Sequence, residues 1–192
     1  MPDQFKDFAE MTASVDPAAW EVEVRDGTGP WVIIAPHGGT IERPTDLLAQ
    51  EIAGADLPFY VFRSLVLKKV ANLHITSRNF NHDLALALLA QCDTAVAIHG
   101  SADTRRGDVT TQMGGIDAEA REAIARSLAA ANFPTALASG RLAGDHPINI
   151  CNRCRSGSGV QLEIPLTLRR QLRIDVDARS EFVAAIRRGL RL

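Results

Sequence analysis

The sequence predicts an α/β protein of three layers, with a mixed, largely parallel central sheet and helices on both of its faces. Short apolar runs bounded by turn residues alternate along the chain with longer segments of helical periodicity. This alternation is the pattern that covers both faces of a sheet with helices. With 192 residues and 46% hydrophobic content, the chain is long enough for one well-packed core and short for two. Residues 1–192 are therefore predicted to form a single domain.

The predicted strands begin with an alternating segment and a continuous apolar run. Residues 20–25 (WEVEVR) alternate apolar and polar side chains, the turn sequence DGTGP follows, and residues 31–35 (WVIIA) suit a buried strand. Because so short a turn separates the two segments, they are predicted to form a hairpin-like pair. The further predicted strands are residues 59–62, 73–76, 94–99, 135–138 and 160–164.

Helices are predicted between and after these strands. Asp117 directly precedes one of them and has a side chain suited to capping its first turn. No element is predicted in the polar segment before residue 20. The predicted helices are residues 45–53, 82–91, 118–131 and 180–190.

The charge, hydropathy and cysteine content of the chain indicate which kinds of partner the protein binds and in which cellular compartment it works. The chain has 21 basic and 23 acidic residues, and the basic ones are scattered except at the C-terminus, so no nucleic-acid footprint is evident. The N-terminus is too polar for a signal peptide, and no stretch approaches the roughly 20 apolar residues of a membrane span. Three cysteines cannot all pair within the chain. We expect no nucleic-acid or membrane partner, and a cytoplasmic protein or one released by lysis.

Three predicted strands lead into residues that bind metals or move protons. Residues 31–35 are followed by His37 and, five positions further on, by Glu42; another strand ends at His99, and another carries Glu163. Open α/β sheets place their ligands in loops at the carboxyl ends of strands. His37, Glu42 and His99 would satisfy the three-ligand set of a catalytic zinc, which leaves one position for water. Glu163 is then the candidate base.

Each of these residues also has a plain structural interpretation. A histidine after an apolar strand can be a core residue whose ring nitrogens are hydrogen-bonded, and a glutamate within QLEIP can point outward from a half-exposed strand. The combination favours a site, because two separate apolar strands each end in the sequence His-Gly.

The segments APHGGTIERPT, LHITSRNF, VAIHG, INICNR and GVQLEIP, in this order, resemble the poly-gamma-glutamate hydrolase family known from phages that infect capsule-forming bacteria. The resemblance covers nearly the whole chain. It implies a zinc peptidase with a metallocarboxypeptidase-like fold and site, which cuts the γ-glutamyl amide bond of poly-γ-glutamate. By position, it implies that His37, Glu42 and His99 hold the zinc and that Glu163 is catalytic. The His–Glu spacing exceeds the HxxE of ordinary metallocarboxypeptidases and is similar to that of this family.

A polyglutamate substrate carries a free carboxylate on every residue, so its enzyme needs hydrogen-bond donors near the metal, preferably arginines. The Asn-Arg pair in INICNR is similar to the carboxylate-binding pair of metallocarboxypeptidases, and the histidine in LHITS could instead be a core residue. Arg105 and Arg106 are interpreted as solvated loop residues. The candidate substrate-binding residues are His74, Arg78, His146, Asn152 and Arg153.

The sequence leaves open other roles for the cysteines and other functions for the protein. Cys151 and Cys154 form a CxxC that, with His146 and Cys92, could hold a structural zinc or act in redox chemistry, and Cys151 could be a nucleophile. A cysteine nucleophile would leave Glu42 and the two His-Gly strand ends without a role. The alternative functions are another metal-dependent amidohydrolase acting on N-acyl amino acids or peptidoglycan, and a non-catalytic protein that binds an anionic polymer or serves phage replication. The sequence does not determine the oligomeric state.

Overall fold

The central sheet has its strands in the order β1-β3-β2-β4-β7-β5-β6. The computed structural model describes residues 3–192, and within them seven strands form this one sheet. The neighbours β3, β2, β4 and β7 are parallel, whereas β1 and β5 join them antiparallel. The predicted mixed, largely parallel sheet is confirmed. The strands are β1 Trp20–Arg25, β2 Gly29–Gly39, β3 Phe59–Ser64, β4 Cys92–Ser101, β5 Thr111–Gly114, β6 Thr135–Leu137 and β7 Val160–Pro165.

Helices cover both faces of this sheet, as the sequence predicts. Side chains of α2, α4, α5 and α6 pack on one face, and those of α1 and α3 pack on the other. Within residues 3–192, no helix has both the length and the apolar character that a bilayer crossing requires. The helices are α1 Phe8–Ser14, α2 Thr45–Ala53, α3 Asp83–Leu89, α4 Ala118–Ala130, α5 Leu166–Ile174 and α6 Val176–Gly189.

Successive residues of β2 enter opposite layers. Ile33 and Ala35 pack in the core formed with α2, α4, α5 and α6, whereas Val32 and Ile34 pack in the core formed with α1 and α3. All four side chains are buried. A strand that is buried on both faces has no polar side to alternate with, which explains the continuous apolar run of the sequence.

The predicted hairpin of residues 20–25 and 31–35 is wrong. β1 and β2 both pair with β3, β1 antiparallel and β2 parallel, so β3 lies between them. The chain leaves β2 through α2 and returns as β3 beside β2, and β1 then occupies the outer edge of β3. A crossover through a helix between parallel neighbours is the usual connection in such sheets, and it displaces the local hairpin.

The strand predicted at residues 73–76 is also wrong, because this segment joins no ladder of the sheet. Leu73 and Ile75 are buried in the core that contains α1 and α3, which produces the alternating pattern. The backbone groups of the segment bond to side chains instead: the Ile75 carbonyl lies 2.8 Å from His37 Nε2, and the Thr76 N–H donates to Asp3.

Three elements have no counterpart in the sequence prediction, namely α1, β5 and α5, and α6 begins four residues before its predicted start. The helix at Thr45–Ala53 has its predicted bounds. Asp117 caps α4 as predicted, since its side chain accepts a hydrogen bond from the Ala120 N–H.

Candidate metal centre

His37 lies near the C-terminal end of β2, where the register between β2 and β3 shifts. Two glycines follow, and both are required by the close approach of β3. A Cβ on Gly38 would come within 2.6 Å of the Phe62 carbonyl, and one on Gly39 within 2.2 Å of the Ser64 carbonyl. His37 is thus buried inside the strand rather than in the loop that the sequence predicts.

Glu42 turns back toward His37 through a short loop. The Glu42 N–H donates to the His37 carbonyl at 3.0 Å, and the Glu42 carbonyl accepts from the Thr45 N–H at the start of α2. This turn places Glu42 Oε1 3.1 Å from His37 Nδ1, while Oε2 accepts a hydrogen bond from the Gly100 N–H at 2.8 Å. The five-residue spacing between His37 and Glu42 in the sequence is therefore explained by one hydrogen-bonded turn that brings the two side chains together.

His99 completes the cluster from the neighbouring strand. β4 runs parallel to β2, so the two histidines meet at the same edge of the sheet. His99 Nδ1 lies 3.0 Å from His37 Nδ1 and 3.7 Å from Glu42 Oε2. The three residues each offer one ligand atom, and these atoms lie within 4.8 Å of one another.

Hydrogen bonds orient the ring nitrogens of this cluster. His37 Nε2 lies 2.8 Å from the Ile75 carbonyl, which can only accept, so Nε2 carries a proton. His37 Nδ1 is then the nitrogen that faces Glu42 and His99, at 3.1 and 3.0 Å. His99 Nε2 lies 3.4 Å from Ser77 Oγ. An outer partner on one nitrogen, with the other nitrogen directed into the cluster, is the usual arrangement of a histidine that binds a metal.

Burial and mutual charge set the protonation of the cluster. Burial alone would lower the pKa of His37, but the Glu42 carboxylate outweighs burial and raises it. Burial opposes ionisation of Glu42, yet His37 holds the Glu42 pKa well below its usual range. Burial lowers the pKa of His99. Two imidazoles and an ionised carboxylate, converging in a buried position, form a donor set that fits zinc.

Glu163 lies beside His99, because the two residues are register partners in β7 and β4. Its side chain is buried, and Oε1 accepts a hydrogen bond from Gln161 Nε2 at 2.9 Å. Burial, followed by the charge of Glu42, raises the pKa of Glu163 to about 8. A carboxyl group with such a raised pKa can exchange a proton near neutral pH.

A cavity of about 580 Å³ opens over the cluster, and His37, Glu42, His99 and Glu163 all lie on its wall. The predicted substrate-binding residues His74 and Arg78 line it too. The His74 ring centroid lies 4.2 Å from that of His37, and His74 Nδ1 lies 2.7 Å from Asp3 Oδ1. Burial lowers the pKa of His74 to about 4.

The other three predicted substrate-binding residues do not line this cavity. Asn152 is buried, and its amide bonds the carbonyls of Gly144 and His146 and the N–H of Gly159. His146 lies in an exposed loop, where its ring accepts a hydrogen bond from the Ile148 N–H, and Arg153 is exposed. The asparagine of INICNR holds loops together, and a substrate-binding role for this segment stays a prediction.

Several residues around the cavity are not among those predicted from the sequence. Arg141 lies in the short turn Gly140–Leu142 and lines both the main cavity and an adjoining one of about 370 Å³. Gln161 bridges Asn149 and Glu163. Arg169 lies in α5 and lines the adjoining cavity. Asn149 and Gln161 lie within the motifs INICNR and GVQLEIP, whereas Arg141 and Arg169 lie outside every family motif.

The cysteines have surroundings that favour packing. All three are buried, and Cys151 and Cys154 belong to the core that contains α1 and α3. Burial raises the pKa of the Cys151 thiol, which disfavours a nucleophilic thiolate. Within residues 3–192, His37, Glu42 and His99 are the one group of three or more His, Cys, Asp or Glu side chains close enough to share a metal ion. A cysteine metal site is therefore not formed in the described part of the chain.

Comparison with known proteins identifies the family. The model of the family described as poly-gamma-glutamate hydrolase matches residues 5–183. The chain belongs to the poly-gamma-glutamate hydrolase family. The resemblance stated from the sequence motifs is thereby confirmed.

Relatives in Bacillus subtilis (strain 168) show the same relationship. The chain is 36% identical over 172 residues to the SPbeta prophage-derived UPF0714 protein YoqZ. The aligned region covers 88% of this chain and 61% of YoqZ. It is 32% identical over 166 residues to the UPF0714 protein YmaC, covering 85% of this chain and 69% of YmaC. The chain thus spans about three fifths of the length of YoqZ.

Solved structures share the fold. A bacteriophage poly-gamma-glutamate hydrolase superposes with a TM-score of 0.89 at 27% identity, covering 99% of this chain and 97% of the other. A zinc-free apo form of YndL also gives 0.89, at 28% identity, covering 99% and 98%. A candidate metallopeptidase from Shewanella denitrificans gives 0.52 at 12% identity, covering 92% and 79%, and shows the fold alone. The predicted α/β fold of metallopeptidase type is confirmed.

Proposed function

We propose that this protein is a zinc-dependent hydrolase of the γ-glutamyl amide bond in poly-γ-glutamate. The observation that carries the proposal is the convergence of His37, Glu42 and His99 beside a buried Glu163 on the wall of one cavity. Two structural relatives support the proposal. One is a bacteriophage poly-gamma-glutamate hydrolase, which supports the substrate, and the other is an apo form of YndL described as zinc-free, which supports the metal.

His37 Nδ1, His99 Nδ1 and one carboxylate oxygen of Glu42 would hold the zinc ion. Zinc at such a site polarises a carbonyl group and lowers the pKa of water and of acids nearby. Gln161 occupies Oε1 of Glu163, which leaves Oε2 for proton transfer. In its ionised form, Glu163 takes a proton from the attacking water and returns it to the departing α-amine, as a general base and then a general acid. No covalent intermediate with the protein is required.

Cationic and hydrogen-bonding side chains on the cavity wall suit an anionic polymer. Arg78 and Arg141 are exposed residues that line the cavity, and His74, whose ring centroid lies 4.2 Å from that of His37, lines it too. Each could bond an α-carboxylate of the substrate, and an arginine can do so with two parallel hydrogen bonds. The anionic polyglutamate is thus the partner that we propose, with these three residues as its contacts.

The direct test is incubation of the zinc-loaded protein with poly-γ-glutamate, with chain length followed on a gel. Shortening that a chelator abolishes, and that zinc restores, is the expected result. A His37→Ala protein, which lacks one ligand, is the matched control and should leave the polymer intact. An intact polymer with the zinc-loaded wild type would contradict the proposal, and cleavage of N-acyl amino acids or peptidoglycan instead would favour the other amidohydrolase functions.

A further inference from the structure

Arg169 is a buried cation beside the candidate metal centre, on the wall of the adjoining cavity that Glu42 also lines. α5 begins at Leu166, directly after β7, and the first turn of the helix returns Arg169 to the edge of the sheet. The residue is 7% exposed. Within residues 3–192, the three hydrogen bonds that its guanidinium donates all end on backbone carbonyls. Burial of a charge is costly unless it is hydrogen-bonded, and these three bonds offset that cost only where the three carbonyls converge on the guanidinium.

The three carbonyls belong to three different segments. Arg169 Nη1 donates to the Arg43 carbonyl at 2.7 Å, Nη2 to the Ser101 carbonyl at 3.1 Å, and Nε to the Ile164 carbonyl at 3.0 Å. One planar group with a fixed fork of donors therefore joins the loop before α2 to the ends of β4 and β7. Each carbonyl lies one or two residues after a residue of the candidate centre, namely Glu42, His99 and Glu163.

Gly100 permits this arrangement. A Cβ on Gly100 would come within 2.5 Å of the guanidinium carbon of Arg169, so the guanidinium packs directly on the backbone there. The N–H of the same glycine donates to Glu42 Oε2 at 2.8 Å. Arg169 thus packs against the residue whose N–H holds a proposed ligand. This contact gives a physical reason for the glycine that follows His99.

We propose that Arg169 is a positioning residue of the metal centre, which fixes the Glu42 loop and the ends of β4 and β7 at the separation that the ligands require. The inference rests on the proposed function, since it concerns the same centre. Arg169 acts through the backbone, so its loss should loosen zinc binding and slow turnover without a matching loss of substrate affinity.

Two variants and a matched control test this role. Arg169→Lys keeps the positive charge, but a compact ammonium group cannot reach three diverging carbonyls. Gly100→Ala keeps the arginine and displaces its guanidinium by adding the Cβ. Arg25→Lys is the control, because Arg25 also donates to backbone carbonyls, those of Ala53, Gly54 and Leu57, but at the opposite end of the parallel strands.

The measurements are zinc affinity by competition with a chromophoric chelator, thermal unfolding of the zinc-free proteins, and kcat and KM at saturating zinc. We expect Arg169→Lys and Gly100→Ala to weaken zinc binding by about tenfold or more, as the loss of outer-sphere support does at metal sites, and to lower kcat with KM little changed. Arg25→Lys should lose thermal stability and keep its zinc affinity.

Zinc affinity and kcat equal to the wild-type values in both variants would overturn the inference, as would a rise in KM alone, which would indicate direct contact with the substrate. Should Arg169→Lys fail to fold, the result for Gly100→Ala decides. A wild-type protein that binds no zinc or leaves poly-γ-glutamate intact would contradict the proposed function instead, so the two failures are distinguishable.

Discussion

Glu163 combines burial, a charged neighbour and a fixed hydrogen bond in one side chain. Burial and Glu42 raise its pKa to about 8, while the Gln161 amide holds Oε1. Asn149 in turn holds Gln161 at 3.1 Å, so the orientation of the carboxyl group depends on a chain of buried amides. These are the surroundings of a group that transfers a proton near neutral pH.

Replacing Glu163 by glutamine should separate metal binding from turnover. Glu163→Gln keeps the shape and can still accept the Gln161 hydrogen bond, but it cannot exchange a proton. We expect wild-type zinc content and a fall in kcat of roughly 10²- to 10⁴-fold. His37→Ala should lose both zinc and turnover. Full activity of Glu163→Gln would refute the assignment of the base.

Asp3 orients His74 from the N-terminal segment. Its Oδ1 lies 2.7 Å from His74 Nδ1, and its Oδ2 accepts the Thr76 N–H at 2.6 Å. Asp3→Ala should release the ring and the segment that carries the Ile75 carbonyl, and lower kcat/KM by about tenfold, the equivalent of one to two hydrogen bonds. Asp16→Ala, which removes the cap of the exposed turn Pro17–Ala19, is the control in the same kinetic assay. Equal activity of the two variants would show that Asp3 has no role in the site.

At the scale of elements, the loop between β4 and β5 is closed by one carboxylate. Asp108 is 2% exposed and accepts hydrogen bonds from the hydroxyl and the N–H of Thr104 and from the N–H of Thr110. These bonds, the Thr104 hydroxyl first, lower the pKa of Asp108 to about 2. The loop also carries Asp103 and Thr104 on the cavity wall.

The contribution of Asp108 to stability should depend on pH in a defined direction. Because its pKa falls from 3.8 to about 2 on folding, the stabilisation is fully present above about pH 4 and is lost as the pH falls through about 2. Asp108→Asn should therefore be less stable than wild type near neutral pH, with the difference shrinking toward pH 2. Urea unfolding at several pH values measures this, and a difference that is independent of pH would contradict it.

Elements could be predicted from the sequence where one local signal determined them. The helix Thr45–Ala53 and the Asp117 cap follow from periodicity and capping chemistry. Residues 73–76 have the alternating burial of a strand but bond to His37 and Asp3 rather than to a ladder. The alternation reports which side chains are buried and carries no information on where the backbone hydrogen bonds go.

At the scale of the whole molecule, zinc should stabilise the folded protein. An ion that binds only the folded state adds about 2.7 kcal/mol at a hundredfold excess over Kd, or about 5–10 °C in Tm for a chain of this length. Calorimetry with zinc and with a chelator measures the shift. The His37→Ala protein should show no shift, and an equal shift in that variant would place the zinc elsewhere.

The same calorimetric scan bears on domain organisation. The single domain of residues 1–192 stays a prediction, and it requires one transition with equal calorimetric and van't Hoff enthalpies in the zinc-free protein. Two separate transitions would contradict it.

The sequence by itself determined the α/β class, the family and the metal-capable trio. Each depends on short segments in which residue type and spacing carry the signal, as in the His37 to Glu42 turn. Only the tertiary structure decided which of the predicted residues reach the cavity beside that trio and which other residues join them. It brought Arg141 and Arg169 to the cavities and Asp3 to His74, and it left Asn152 and Arg153 outside. The physical reason is that these contacts join residues far apart in the chain, through crossovers and packing that no local pattern records.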